Sequence, residues 1–126
     1  MEILSSRIIV RPTDYERTLE FYRDVLGLAI AREYPGGTVF FAGQGLIEVA
    51  GHGSGGAAGF SGAIWLQVRD AAKTQSQLRA RGVDIVREAR AEPWGLIEQW
   101  IADPDGVPIV LVEVPANHPL RRDSRF

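Results

Sequence analysis

One pattern, present twice, constrains the fold of this chain more than any other feature. Arg7–Gly27 reads RIIVRPTD and then YERTLEFYRDVLG, and Ala63–Gly82 reads AIWLQVRD and then AAKTQSQLRARG. Each copy is a short apolar run ending at an Asp, followed by an amphipathic segment ending at a Gly. Asp14 to Gly27 spans 13 residues and Asp70 to Gly82 spans 12. An Asp at the end of a strand-like run is a good helix N-cap, because its carboxylate accepts from the free N–H groups of the first turn. A Gly at the far end supplies the left-handed residue that closes a helix. Identity between the copies is low, so the repeat is one of pattern, and it sets the topology before any local assignment.

The flanking segments extend each copy in the same way. In Arg7–Arg11, Arg7, Ile9 and Arg11 point one way and Ile8 and Val10 the other, as in a half-buried strand. Leu19, Tyr22, Val25 and Leu26, with Phe21 beside them, predict one apolar helical stripe. Leu28–Glu33 reads as a strand, Tyr34-Pro-Gly-Gly37 as a turn, and Thr38–Ala42 and Leu46–Ala50 as a hairpin about Gly43-Gln44-Gly45. In the second copy, Ile64, Leu66 and Val68 face one side of a strand, and Ala63, Trp65 and Gln67 the other. A helix is expected over Ala71–Arg81, with strands over Val83–Arg87, Leu96–Ala102 and Pro108–Val114. Glu92-Pro93-Trp94-Gly95 and Asp103-Pro104-Asp105-Gly106 are turn signals, the second with Pro at i+1 and Gly at i+3. Each half therefore reads βαβββ. We expect a single domain: module one over about 5–50, a Gly-rich linker 51–62, module two over about 63–114, and a polar, basic, poorly ordered tail 115–126.

Composition narrows the function classes. A chain of 126 residues can bury a core, and its net charge of −2 argues against a nucleic-acid surface. There is no Cys, hence no disulfide framework and no thiol chemistry. No apolar run approaches the roughly 18 residues of a membrane span. MEILSSR lacks the basic and apolar regions of a signal peptide, so a cytoplasmic protein without membrane partners is expected. Gly51-His52-Gly53-Ser54-Gly55-Gly56 matches G-x-G-x-x-G, but AAGFSG and a strand come after it instead of the helix that a dinucleotide site needs.

The two βαβββ modules, Phe21-Tyr22 with Leu26-Gly27, Trp94-Gly95 and Asp103-Pro104-Asp105-Gly106 resemble the vicinal oxygen chelate superfamily of glyoxalases, bleomycin-resistance proteins and extradiol dioxygenases. The resemblance implies an α+β fold: two curved, partly open mixed-sheet half-barrels, helices on the convex side and a ligand site on the concave side. It also implies, for the enzymes, a divalent metal on four side chains. Carried over to this chain, those positions are Arg7, Glu48, Ala63 and Val110, of which only Glu48 can ligate. One carboxylate does not hold a divalent ion, so no metal and no other cofactor is expected.

Arg7 then stands where a metal ligand would. Its guanidinium can replace the metal's charge and pair with Glu48, or it can lie at the sheet edge with its head in water. Strand phase favours Arg7 and Glu48 on one face as an ion pair. Trp65, Trp94 and Trp100 suggest a stacking platform for a flat ligand, with Gln67 beside Trp65; core or dimer packing is the alternative for each. His52 and His118 fall outside the predicted strands and read as solvated, and Glu98 and Glu113 as solvated or rim acids. The candidate ligand-binding residues are therefore Arg7, Glu48, Trp65, Gln67, Trp94 and Trp100. The leading expectation is a metal-free, homodimeric protein that sequesters an aromatic or amphipathic small molecule, like the bleomycin-resistance proteins. The alternatives are a metalloenzyme with displaced ligands, or a metal-independent lyase or isomerase using Glu48 as general base.

Overall fold

The computed structural model describes residues 1–51 and 59–122. His52 and the rest of the glycine motif up to residue 56 lie outside the described residues. Two compact units are present: Met1–Ser61 with Asp103–Val107, and Gly62–Ala102 with Pro108–Phe126.

The first unit runs β1 (Ile8–Val10), α1 (Tyr15–Glu20), a π-helical turn (Phe21–Val25), β2 (Ile30–Tyr34), β3 (Gly37–Ala42) and β4 (Gly45–Ala50). Its sheet has the order β1-β4-β3-β2, with β1 parallel to β4 and the other pairs antiparallel. Asp14 caps α1 by accepting from the Arg17 N–H at 3.2 Å. The helix does not keep the expected stripe. Leu26 N–H reaches back five residues to the Phe21 carbonyl at 2.9 Å, and a turn this wide shifts the later side chains around the helix axis. Thr18, Phe21 and Tyr22 are the buried residues, while Leu19, Val25 and Leu26 are only partly covered. They pack on the sheet face of Thr38, Phe40, Ile47 and Val49: Tyr15 Oη lies 2.8 Å from Thr38 Oγ1, and the Tyr22 and Phe40 rings are 6.3 Å apart.

The turn 103–107 belongs to this unit for a polar reason. Tyr22, fully buried, donates to Asp103 Oδ2 at 2.9 Å. Asp103 Oδ1 accepts from the Asp105 and Val107 N–H groups at 2.9 Å each, and Asp105 accepts from the Thr13 N–H. Burial pushes the Asp103 carboxyl above its ordinary range. Burial, then the neighbouring Asp103 charge, pushes the Tyr22 phenol up as well.

The second unit runs β5 (Ile64–Val68), α2 (Ala71–Ala80), β6 (Arg87–Ala91), β7 (Ile97–Ala102), β8 (Pro108–Glu113) and a short α3 (Pro119–Arg122). Its sheet repeats the first as β5-β8-β7-β6, with β5 parallel to β8. Asp70 caps α2 through the Lys73 N–H at 2.9 Å. Gly82, at φ 80°, closes the helix, and Val83 N–H bonds the Leu78 carbonyl at 3.0 Å. Closing the helix in this way uses up the start of the expected Val83–Arg87 strand, so β6 begins at Arg87 instead. Glu113 is not a rim acid. It accepts from the Ala71 N–H at 2.8 Å, while Gln99 donates to the Ala71 carbonyl, and the two together tie the start of α2 to the sheet.

Within the tail, His118 bonds the Trp94 carbonyl at 3.2 Å and α3 comes directly after it. The architecture is therefore α+β: two open, mixed four-stranded sheets, each a βαβββ module with its helix on one face, as the repeat predicts. Among the described residues, no helix is long and apolar enough to cross a membrane.

Candidate functional site

In each unit the sheet face opposite the helix carries the candidate residues. In the first unit, Ile9, Glu48, Val39 and Arg32 stand opposite one another across all four strands. Side chains directly across a ladder share a face, and residues two apart on one strand do too. Arg7, Tyr34 and Phe41 therefore join this face.

Arg7 Nη1 donates to Glu48 Oε1 at 3.0 Å, and their side chains are 36% and 12% exposed. Tyr34 Oη donates to the other oxygen, Glu48 Oε2. Desolvation, and then the bond to Glu48, push the Tyr34 phenol above its ordinary value. Arg32 lies over the Tyr34 ring with its guanidinium carbon 5.7 Å from the centroid.

Tyr34 reaches Glu48 by crossing β3 at Gly37, its register partner. A Cβ at residue 37 would fall 2.2 Å from the ring carbon and oxygen of Tyr34. Gly37 is thus a strand residue kept bare for the ring, and its role is close approach rather than a turn. The sequence reading missed Tyr34 and Arg32 because Tyr-Pro-Gly-Gly signals a turn. The spacing of Arg32 and Tyr34, two residues apart on one strand, was the available signal, while a register shift after Ile30 turns that residue to the other face.

In the second unit, Trp65, Val110, Trp100 and Arg87 form the equivalent row. Gln67, Val112, Glu98 and Arg90 form the next row on the same face. Trp100, whose side the sequence left open, thus shares a face with Trp65. It packs on Leu96, Val110, Val112 and Val114. Trp65 is 48% exposed and Gln67 is exposed next to it. Trp94 is 58% exposed, yet its indole N–H donates to Glu98 Oε2 at 2.8 Å. Glu98 is therefore a buried partner rather than a rim acid.

At the β6 edge, Arg87 and Arg90 converge on the buried carboxylate of Glu92. Burial alone would raise that carboxyl, but the hydrogen bonds from the two arginines outweigh it and hold it below its ordinary value. None of these three residues was singled out by sequence, because an irregular register between Arg87 and Arg90 breaks the plain alternation that would have grouped them.

A match to the family described as the Glyoxalase/Bleomycin resistance protein/Dioxygenase superfamily covers residues 5–111. The chain belongs to this superfamily. A probable lactoylglutathione lyase of Synechocystis sp. is 33% identical over 121 residues, covering 83% of this chain and 91% of that protein. Among solved structures, a member of the superfamily from Sphaerobacter thermophilus has a TM-score of 0.73 at 25% identity, covering 89% of this chain and 98% of that one. Lactoylglutathione lyase from Agrobacterium tumefaciens has a TM-score of 0.67 at 19% identity, covering 89% and 92% respectively, a likeness of fold.

The superfamily's enzymes imply a divalent metal, and the residues here do not fit one. Ala63 and Val110 carry no donor atom, and at position 7 a guanidinium faces the Glu48 carboxylate. Among the described residues, no three His, Cys, Asp or Glu side chains come together as a metal set.

Proposed function

We propose that this superfamily member binds an organic small molecule without a divalent metal. The observation that carries the reading is the Arg7–Glu48 pair. A permanent cation sits 3.0 Å from the one carboxylate among the four positions where the superfamily's enzymes gather ligands. A guanidinium cannot lose its proton to become a ligand, and its charge already balances the carboxylate.

In this reading the flat apolar part of the ligand rests on Trp65 and Trp100, with Gln67 supplying a polar contact and Trp94 at the rim. Indoles give large, weakly hydrated contact area, which suits ligands of this type. A homodimer belongs to the same reading. Each sheet ends on edge strands, β1 and β2 or β5 and β6, and edges of this kind are normally covered.

The test is elemental analysis of protein purified without chelator, together with a ligand screen read by tryptophan fluorescence. We expect substoichiometric metal, ligands that quench emission, and affinity reduced by about 1–3 kcal/mol in Trp65→Ala. Stoichiometric zinc, nickel, iron or manganese that is lost in Glu48→Ala refutes it. The 33% identity to a probable lactoylglutathione lyase favours a second reading, that this chain shares that activity. Formation of lactoylglutathione by the purified protein, with or without added divalent metal, would decide for it.

A further inference from the structure

The helix-free face of the first unit has a charge arrangement that goes beyond a substitute for a metal. Arg7 is oriented by Glu48, and Glu48 is in turn held by Tyr34. The phenol end of Tyr34 passes over the bare backbone of Gly37, and Arg32 lies over the Tyr34 ring. Each side chain fixes the next. The cluster brings two guanidinium groups, Arg7 and Arg32, to a single carboxylate, so it is net positive in a chain whose total charge is −2.

Arg32 makes no ion pair among the described residues. Arg7 is engaged with Glu48 through Nη1, and a guanidinium carries five N–H donors, so its remaining edge can grip an anion in a two-pronged fashion. Beside these groups are Ile9 and Phe41, 45% and 53% exposed. Both are on the same face by register, and both are large apolar side chains left half in water.

We propose that this face is a binding site for an organic anion: a carboxylate or sulfonate recognised by Arg7 and Arg32, attached to an apolar body that covers Ile9 and Phe41. Glu48 and Tyr34 are positioning residues here. They hold Arg7 in one geometry before the ligand arrives, and this lowers the entropy lost on binding. The inference rests on the reading of the protein as a small-molecule binder and adds an anion-binding site on the first unit to the indole surface of the second.

Two dyes of nearly the same shape test it. Anilinonaphthalene sulfonate is anionic, and phenylnaphthylamine is its neutral counterpart. Both are titrated by fluorescence against the wild-type chain, Arg32→Gln and Trp65→Ala. Arg32 is exposed, so Arg32→Gln leaves the fold intact, which an unchanged unfolding midpoint verifies. The expected result is saturable binding of the sulfonate, at least tenfold tighter than the neutral dye and weaker at high salt. Arg32→Gln should weaken the sulfonate threefold to tenfold and leave the neutral dye unchanged.

Equal affinity for the two dyes, or sulfonate binding untouched by Arg32→Gln, overturns the anion site while leaving the small-molecule reading intact. Sulfonate binding abolished by Trp65→Ala and indifferent to Arg32→Gln places the ligand on the second unit and also overturns it. Failure of both dyes to bind overturns it as well. Stoichiometric metal in the purified protein defeats the functional reading by itself.

Discussion

Gly37→Ala isolates the contact that holds the site of the first unit together. Replacing a strand glycine by alanine ordinarily stabilises by about 0.5–1 kcal/mol, because the unfolded chain loses freedom. Here the new Cβ would fall 2.2 Å from the Tyr34 ring, well inside contact distance. The atoms it meets are the far end of the ring, so the backbone can stay and the ring must move. Moving it breaks the Tyr34–Glu48 hydrogen bond, and bonds to a charged acceptor contribute about 1.5–3 kcal/mol. It also removes the ring from beneath Arg32, a cation–π contact of about 0.5–1 kcal/mol at an exposed site. The net expectation is a loss of about 1–3.5 kcal/mol, measured as a shift in the urea midpoint at unchanged slope.

The Tyr34→Ala background removes the obstacle, so there the same substitution should become neutral or stabilising by about 0.5–1 kcal/mol. A sign that does not change between the two backgrounds refutes the argument, since it would mean the alanine meets something other than the ring.

The other contacts imply three more outcomes. Arg7→Met and Glu48→Gln should each destabilise, and the double variant should recover part of the loss, with a coupling of about 1 kcal/mol in a denaturation cycle; zero coupling would mean the pair is solvated. Tyr22→Phe should raise the Asp103 carboxyl further, because the phenol's hydrogen bond lowers it; carboxyl carbon NMR titration reads this directly. With its folded value above the unfolded one, Asp103 favours the fold most at pH below its ordinary range. That contribution is lost as pH rises through the raised value, more so in Tyr22→Phe. Gly95→Ala should lower stability by about 1 kcal/mol or more, because residue 95 has φ 92° and its Cβ would lie 3.0 Å from the His118 ring; a neutral result by thermal denaturation would show that the tail contact contributes nothing.

The fold was legible because its signals are local. Asp14 and Asp70 cap their helices through the N–H three residues on, and Gly27 and Gly82 take positive φ, all within one turn of the residue that announces them. What the sequence hid depends on distance along the chain. A stripe drawn at 3.6 residues per turn cannot anticipate the π turn that brings Phe21 beside Tyr22 and sends Leu26 N–H back to Phe21. An isolated acid on a strand reads as solvated, yet Glu98 meets an indole from a turn and Glu113 meets a helix start 42 residues away. The candidate site divides along the same line. Arg7 and Glu48 were placed on one face by strand phase, a property of each strand alone. Tyr34 needed the register of β2 on β3, because only that register puts its ring over the one residue without a side chain. A tyrosine two strands from a carboxylate, roughly 10 Å at ordinary strand spacing, reaches it only if the strand between is bare at the crossing point. Gly37 is therefore as much a determinant of the site as the charged residues, and a sequence that keeps Arg7, Glu48 and Tyr34 with any larger residue at 37 should not assemble it.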